Sequence, residues 1–356
     1  MKRMNIFKQK WKIIGISIIS LGLVCGCGSR GNVNIQEGFA AMESQSYDKA
    51  LGCFEKAIVQ GEDFEQAYRG EGIAYLGMAQ YDQAIEAFQK ALGQAGMFPS
   101  DTEYDINFYL ATAQYKNGDA TGAISTLDAI LKLKDENIDA YFLRGSAWMK
   151  VLEHDKGIAD LEKAMQLAGD DPELVIEVYE VLEAYGYEEE GKAYLNNLLT
   201  DHANSMSDYE KGKVSFYLQD YENARNSLET AKSETKKPDA TIILLLGKTY
   251  EALGDKEYAS VIYHTYLDEN DPNAEIYNQL GLCRLSVEDY EGAKEAFAAG
   301  LKIEGNALTQ NLSYNQIVAY EHLGEFEQAK KLMAKYVKNY PDDEDALREY
   351  TFLKSR

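Results

Sequence analysis

Apolar and small residues recur along the chain with a helical rhythm that restarts about every 34 residues. The most regular fragment is a small residue followed four positions later by a large apolar one: Ala50 and Phe54, Ala84 and Phe88, Ala123 and Leu127, Gly157 and Leu161, Gly191 and Leu195, Ala224 and Leu228, Ala259 and Tyr263, Ala293 and Phe297, Ala329 and Met333. Successive first members are 34, 39, 34, 34, 33, 35, 34 and 36 residues apart. A spacing of four puts both members on one helix face. Twelve residues before seven of the nine anchors stands a second small residue: Gly38, Gly72, Ala111, Gly145, Gly212, Gly247 and Gly281. Tyr179 and Ile317 occupy that position in the fifth and ninth stretches.

Between the two halves of several stretches a glycine marks a bend, as at Gly118, Gly186, Gly254 and Gly324, where a left-handed backbone ends one helix. The pattern predicts two helices per stretch and about nine stretches. The step of 39 predicts a longer loop around Met97–Asp101, and the fifth stretch, about 172–205, is degenerate. After Pro341 the sequence DDEDALREYTFLKSR predicts a terminal amphipathic helix over 344–356, with Ala346, Leu347, Tyr350 and Leu353 on its buried stripe.

The period and the small and large positions resemble the tetratricopeptide repeat, over roughly 31–343. The resemblance implies an all-α solenoid of about nine helix–turn–helix units over 34–343, closed by the helix 344–356, in which stacking of neighbours supplies the core. It also implies a groove lined by the first helix of each unit. Counting from the anchors places Phe39, Met42, Phe108, Tyr115, Phe142, Met149, Tyr209, Phe216, Tyr217, Leu282, Leu285 and Tyr314 at groove positions. Aromatic, leucine and methionine side chains there favour capture of a peptide or helix. The lysine and asparagine positions of the family's carboxylate clamp are not reproduced: the third unit has Phe108, Thr112 and Lys116 there.

The first 33 residues follow a different logic. Residues 1–12 are basic, and residues 13–24 (IIGISIISLGLV) are apolar but too short for a comfortable span. This is the pattern of a secretory signal peptide over 1–26. Val24-Cys25-Gly26-Cys27 resembles a bacterial lipobox, with Cys27 as the lipidated residue and 27–33 as a short linker. Two acyl chains make a stable anchor where one does not. The expectation is a protein held by lipid on the outer face of the cell membrane.

Charge narrows the partners. The net charge is -23, and losing the five basic residues of the leader would take it to -28. Such a chain repels nucleic acid and anionic headgroups. A basic or amphipathic protein or peptide is the expected partner. No catalytic constellation, phosphate loop or metal-ligand spacing is present, so no enzyme activity, cofactor or metal is expected. His154, His202, His264 and His322 fall in different repeats. Cys53 and Cys283, far apart in sequence, are expected as buried hydrophobes. The leading functional expectation is a membrane-anchored interaction scaffold in envelope or surface-structure assembly. The second is an extracellular binding lipoprotein for peptide or glycan ligands.

The lipid expectation has a direct check. Mass spectrometry of the mature N-terminus is expected to find a diacylglyceryl adduct on Cys27. Cys27→Ser should move the protein from the membrane fraction to the soluble one, while Cys25→Ser should not. A mature chain with a free Cys27 thiol refutes the anchor.

Overall fold

The computed structural model describes residues 32–94, 96 and 100–356. Cys27 and the leader lie outside the described residues, as do Met97, Phe98 and Pro99 of the expected loop. Every regular element among the described residues is an α-helix, nineteen in all. None is long and apolar enough to cross a membrane.

The chain divides into two compact units, the first ending at Leu174 and the second starting at Val175. The first contains four helical hairpins: α1 (Val33–Glu43) with α2 (Tyr47–Val59), α3 (Phe64–Gly77) with α4 (Tyr81–Leu92), α5 (Asp101–Lys116) with α6 (Ala120–Leu133), and α7 (Ile138–Lys150) with α8 (His154–Ala168). α9 (Pro172–Ala184) opens three residues before the boundary and pairs in sequence with α10 (Glu188–Asp201). Then come α11 (Asp208–Tyr217) and α12 (Tyr221–Ser233), α13 (Ala240–Ala252) and α14 (Lys256–Glu269), α15 (Ala274–Ser286) and α16 (Tyr290–Gly300), α17 (Thr309–His322) and α18 (Phe326–Asn339), and the final helix α19 (Glu344–Lys354). The expected loop ends one residue early: Asp101 is already the first residue of α5, and Ser100 caps it by accepting the Glu103 N–H at 3.2 Å.

The core is the repeat pattern made physical. All nine large residues of the fragment, from Phe54 to Met333, are 0–1% exposed. Each of the rings Phe54, Phe88, Tyr263 and Phe297 lies over the small residue sixteen positions earlier. A Cβ added to Gly38 would stand 2.6 Å from Phe54 Cε1, and those added to Gly72, Gly247 and Gly281 would collide with their own rings. Leu161 and Leu228 cover Gly145 and Gly212 in the same way. The degenerate fifth hairpin replaces the small residue of its first helix by a large one. Tyr179 is the large residue, and Gly191 on the second helix makes room, its added Cβ falling 2.9 Å from Tyr179 Cδ2.

Bends need a left-handed residue, and glycine supplies it at Gly118, Gly186, Gly254 and Gly324. In the other five hairpins Gln45, Ala79, Leu152, Gln219 and Glu288 take the same turn at φ between 54° and 66°. Cys53 and Cys283 are buried, and the Cys283 thiol faces the Lys256 carbonyl at 3.0 Å.

Two arginines lock successive hairpins of the first unit. Arg144 on α7 donates to both oxygens of Asp160 on α8, at 2.7 and 2.8 Å, and to Asp128 on α6 at 2.6 Å. Arg69 on α3 donates to Asp105 on α5 at 2.6 Å, its guanidinium 5.7 Å from the Phe39 ring and 5.8 Å from the Tyr109 ring. At the C-terminus, α19 buries Ala346 and Leu353 and half-buries Tyr350. Leu347 departs from expectation and stays 41% exposed, because it follows the buried Ala346 by one residue and so turns about a quarter of a circle away from it.

Phe54 also abuts Gly70 of the next hairpin, so its ring is held from both sides. Gly70→Ala is therefore expected to destabilise the first unit by about 1–3 kcal/mol. Gly52, mid-helix in α2 with open space where a Cβ would go, should gain about 0.5–1 kcal/mol as alanine. Urea denaturation of both variants checks the pair. A neutral Gly70→Ala would refute the interlock.

Candidate functional site

The expected groove is only partly open. Met149 is wholly buried, with its sulfur against Gly157 of α8, inside its own hairpin seam. Met42, Tyr115 and Phe142 are also buried, at 7, 5 and 8% exposure. These four are core residues and not groove residues. Met42, Tyr115 and Met149 stand four after the small anchor of their helix, on the same stripe, and so face the second helix. Phe142 stands three before its anchor, on a helix flank that the neighbouring first helix covers: α5 and α7 lie side by side.

The remaining predicted residues keep some exposure. Phe39, Phe108, Tyr209, Phe216, Tyr217, Leu285 and Tyr314 are half-buried, and Leu282 is exposed. Several are held in ring contacts. Phe39 meets Phe54 edge-on at 5.2 Å. Tyr217 meets Tyr179 at 6.0 Å and donates to Glu180 at 3.0 Å. Phe216 packs on Tyr221 at 5.6 Å, and Tyr314 on Tyr336 at the same distance. Phe108 packs against the Leu127 cluster and Tyr209 against the Leu246 cluster. The structure thus does not assemble the predicted side chains into one surface.

It does assemble a smaller one in the second unit. The first helices α13, α15 and α17 are neighbours in order. Their anchors are Gly247, Gly281 and Ile317. Residues one and four after each anchor share a face, giving Lys248 and Glu251, Leu282 and Leu285, then Val318 and Glu321. Leu282 and Val318, one after their anchors, keep apolar side chains toward solvent, while the residues four after turn to the second helix: Leu285 packs on the Ala293 and Phe297 core, and Glu251 meets Tyr263. Leu282 is 36% exposed, while Leu285 and Val318 are half-buried.

Both carboxylates sit in a poorly solvated setting. Burial raises the pKa of Glu251, and the hydrogen bond it accepts from the Tyr263 hydroxyl at 2.8 Å opposes the shift. Glu321 is pushed up to about 7, by burial first and then by the facing carboxylate of Glu349 on α19. One Glu321 oxygen is buried without a hydrogen-bond partner. Periodicity points to apolar core positions and not to these acids; the signal in the sequence is an acid four after the anchor in three hairpins of the second unit, Glu183, Glu251 and Glu321.

Comparison with known proteins fits this architecture. The tetratricopeptide repeat description matches residues 36–101 and 69–138, 274–306 and 312–343. The chain contains tetratricopeptide repeats, and its fold is the all-α solenoid class of such repeats. Among solved structures, a tetratricopeptide repeat protein from Parabacteroides merdae is 15% identical. That match covers 72% of this chain and 98% of the other, with a TM-score of 0.46. MamA from Desulfovibrio magneticus RS-1 is 15% identical over 50% of this chain and 97% of its own, with a TM-score of 0.43. YrrB, described as a tetratricopeptide repeat protein with an unusual peptide-binding site, is 17% identical over 63% of this chain and 97% of its own, with a TM-score of 0.35. No curated protein matches the chain.

The Glu321 setting predicts a pH dependence. A carboxyl whose folded pKa is raised binds its proton more tightly folded than unfolded, so its contribution to stability is lost as pH climbs from about 4.5 to about 7. Thermal melts of Glu321→Gln are expected to match the parent at pH 4 and to lie above it at pH 8. Glu349→Gln should narrow that gap by lowering the Glu321 pKa. Equal differences at both pH values would contradict the assignment.

Proposed function

We propose that this protein is a lipid-anchored interaction scaffold on the outer face of the cell membrane, capturing a basic or amphipathic protein segment in envelope or surface-structure assembly. The observation that carries the binding half is the surface of α13, α15 and α17. Leu282 and Val318 keep apolar side chains toward solvent on a strongly acidic chain, a poor surface for water and a good one for a partner that brings apolar and cationic groups together. The net charge of -23 favours approach of a cationic partner at long range. The repeat fold supports binding rather than chemistry, since repeat stacks present extended surfaces. The leader and Cys27 support the anchored half. They call for lipid, because an acidic chain has no electrostatic affinity for anionic headgroups.

The reading is tested by placing a photo-crosslinking residue at Leu282 or Val318 in cells. A discrete protein adduct is expected in the membrane fraction. Leu282→Glu should lower partner capture at least about tenfold, the loss of roughly one hot-spot contact, while leaving the melting curve in place. Undiminished capture by Leu282→Glu would remove this surface from the proposal. If only soluble sugars or oligopeptides shift the melting curve, the ligand-binding alternative replaces the scaffold.

A further inference from the structure

The second helix α14 carries apolar residues on more than one face. Ala259, Ile262 and Tyr263 are buried in the seam. Tyr258 and Val261 remain 41 and 55% exposed. Beside them a cavity of about 260 Å³ opens against the end of α12 and the start of α13, with walls that include Ile243, Tyr258, Val261, Ile262, Thr265 and Tyr266. Small-molecule sites run from about 300 to 1,000 Å³. This one is below that range and suits a single large side chain.

The cavity is held in shape. Glu229 accepts the Tyr250 hydroxyl at 2.9 Å, and the Tyr250 ring meets Tyr258 edge-on at 4.6 Å. A preorganised ring at the mouth costs little order on binding. The rim is acidic. Lys232 is on it, but its ammonium is 3.5 Å from a Glu229 oxygen. Glu269 is also on the rim, and Asp239 and Asp271 face the Tyr266 hydroxyl, raising its pKa after burial has done so. Asp239 is kept charged by hydrogen bonds from the Thr241 N–H and hydroxyl.

We propose that this cavity is a second docking point, separate from the first-helix surface, for a protein segment that presents one aromatic side chain beside an arginine or lysine. The ring enters between Tyr258, Val261 and Tyr266, and the cation meets Glu269, Asp239 and Asp271. Such a ring-plus-cation pair matches both halves of the site: apolar walls and an acidic rim.

The test uses the full chain with labelled isoleucine and valine methyls and three capped dipeptides. N-acetyl-Trp-Arg-amide is expected to shift the Ile243, Val261 and Ile262 methyls saturably. N-acetyl-Ala-Arg-amide and N-acetyl-Trp-Glu-amide should bind at least fivefold more weakly. Thr265 is exposed, so Thr265→Trp can fill the cavity from its rim, and it should abolish the shifts. Leu282→Glu should leave them unchanged, which separates this site from the first-helix surface. Equal responses to the three dipeptides, an absent saturable response, or full retention in Thr265→Trp would each overturn the proposal.

Discussion

Six of the nine hairpins depend on a ring or branched side chain packed on a glycine of the partner helix. Phe54 on Gly38, Phe88 on Gly72, Tyr263 on Gly247 and Phe297 on Gly281 repeat the contact at a separation of sixteen residues. With no Cβ in the way, the two helices of a hairpin close on a shared side chain, and packing at interior density becomes possible in a unit too small to bury a core alone. Phe54 also touches Gly70 of the following hairpin, so the contact that closes one hairpin seats the next. The fifth hairpin carries a second large residue: Tyr179 packs over the anchor Gly191, while Leu195 stays fully buried.

Polar groups act on top of that packing and fix its register. Arg144 bridges carboxylates from α6 and α8, and Arg69 is held between two rings and Asp105. Each guanidinium is 17–19% exposed, partly desolvated and well paired, the setting in which arginine is more useful than lysine. The bends show a cost accepted in return. Five of them use a non-glycine residue in the left-handed region, at about 1–2 kcal/mol each. The array carries that strain because the helices on either side are anchored by the seam.

The surface chemistry departs from a plain solvated shell at two places in the second unit. Glu251 and Glu321 are carboxylates kept partly from water, and α14 turns Tyr258 and Val261 outward beside a cavity. Both are combinations of apolar contact with negative potential, and a cationic, partly apolar segment answers both. That shared chemistry makes a single class of partner sufficient for the scaffold reading.

The sequence by itself determined the helices, the hairpin count and the core. A period near 34 with small and large residues at fixed offsets leaves little freedom, because a glycine and a ring sixteen apart can meet only if a bend lies between them. It also determined the cap, except that Leu347 turned outward. The tertiary structure decided which first-helix residues see solvent. Met42, Tyr115, Phe142 and Met149 have the composition of a binding groove, yet all four are buried. For Met42, Tyr115 and Met149 the offset of four from the anchor already pointed at the second helix, whereas the cover over Phe142 depends on how closely the neighbouring first helix packs. Tertiary placement also sets Glu321, whose proton affinity is raised first by burial and then by Glu349 of α19.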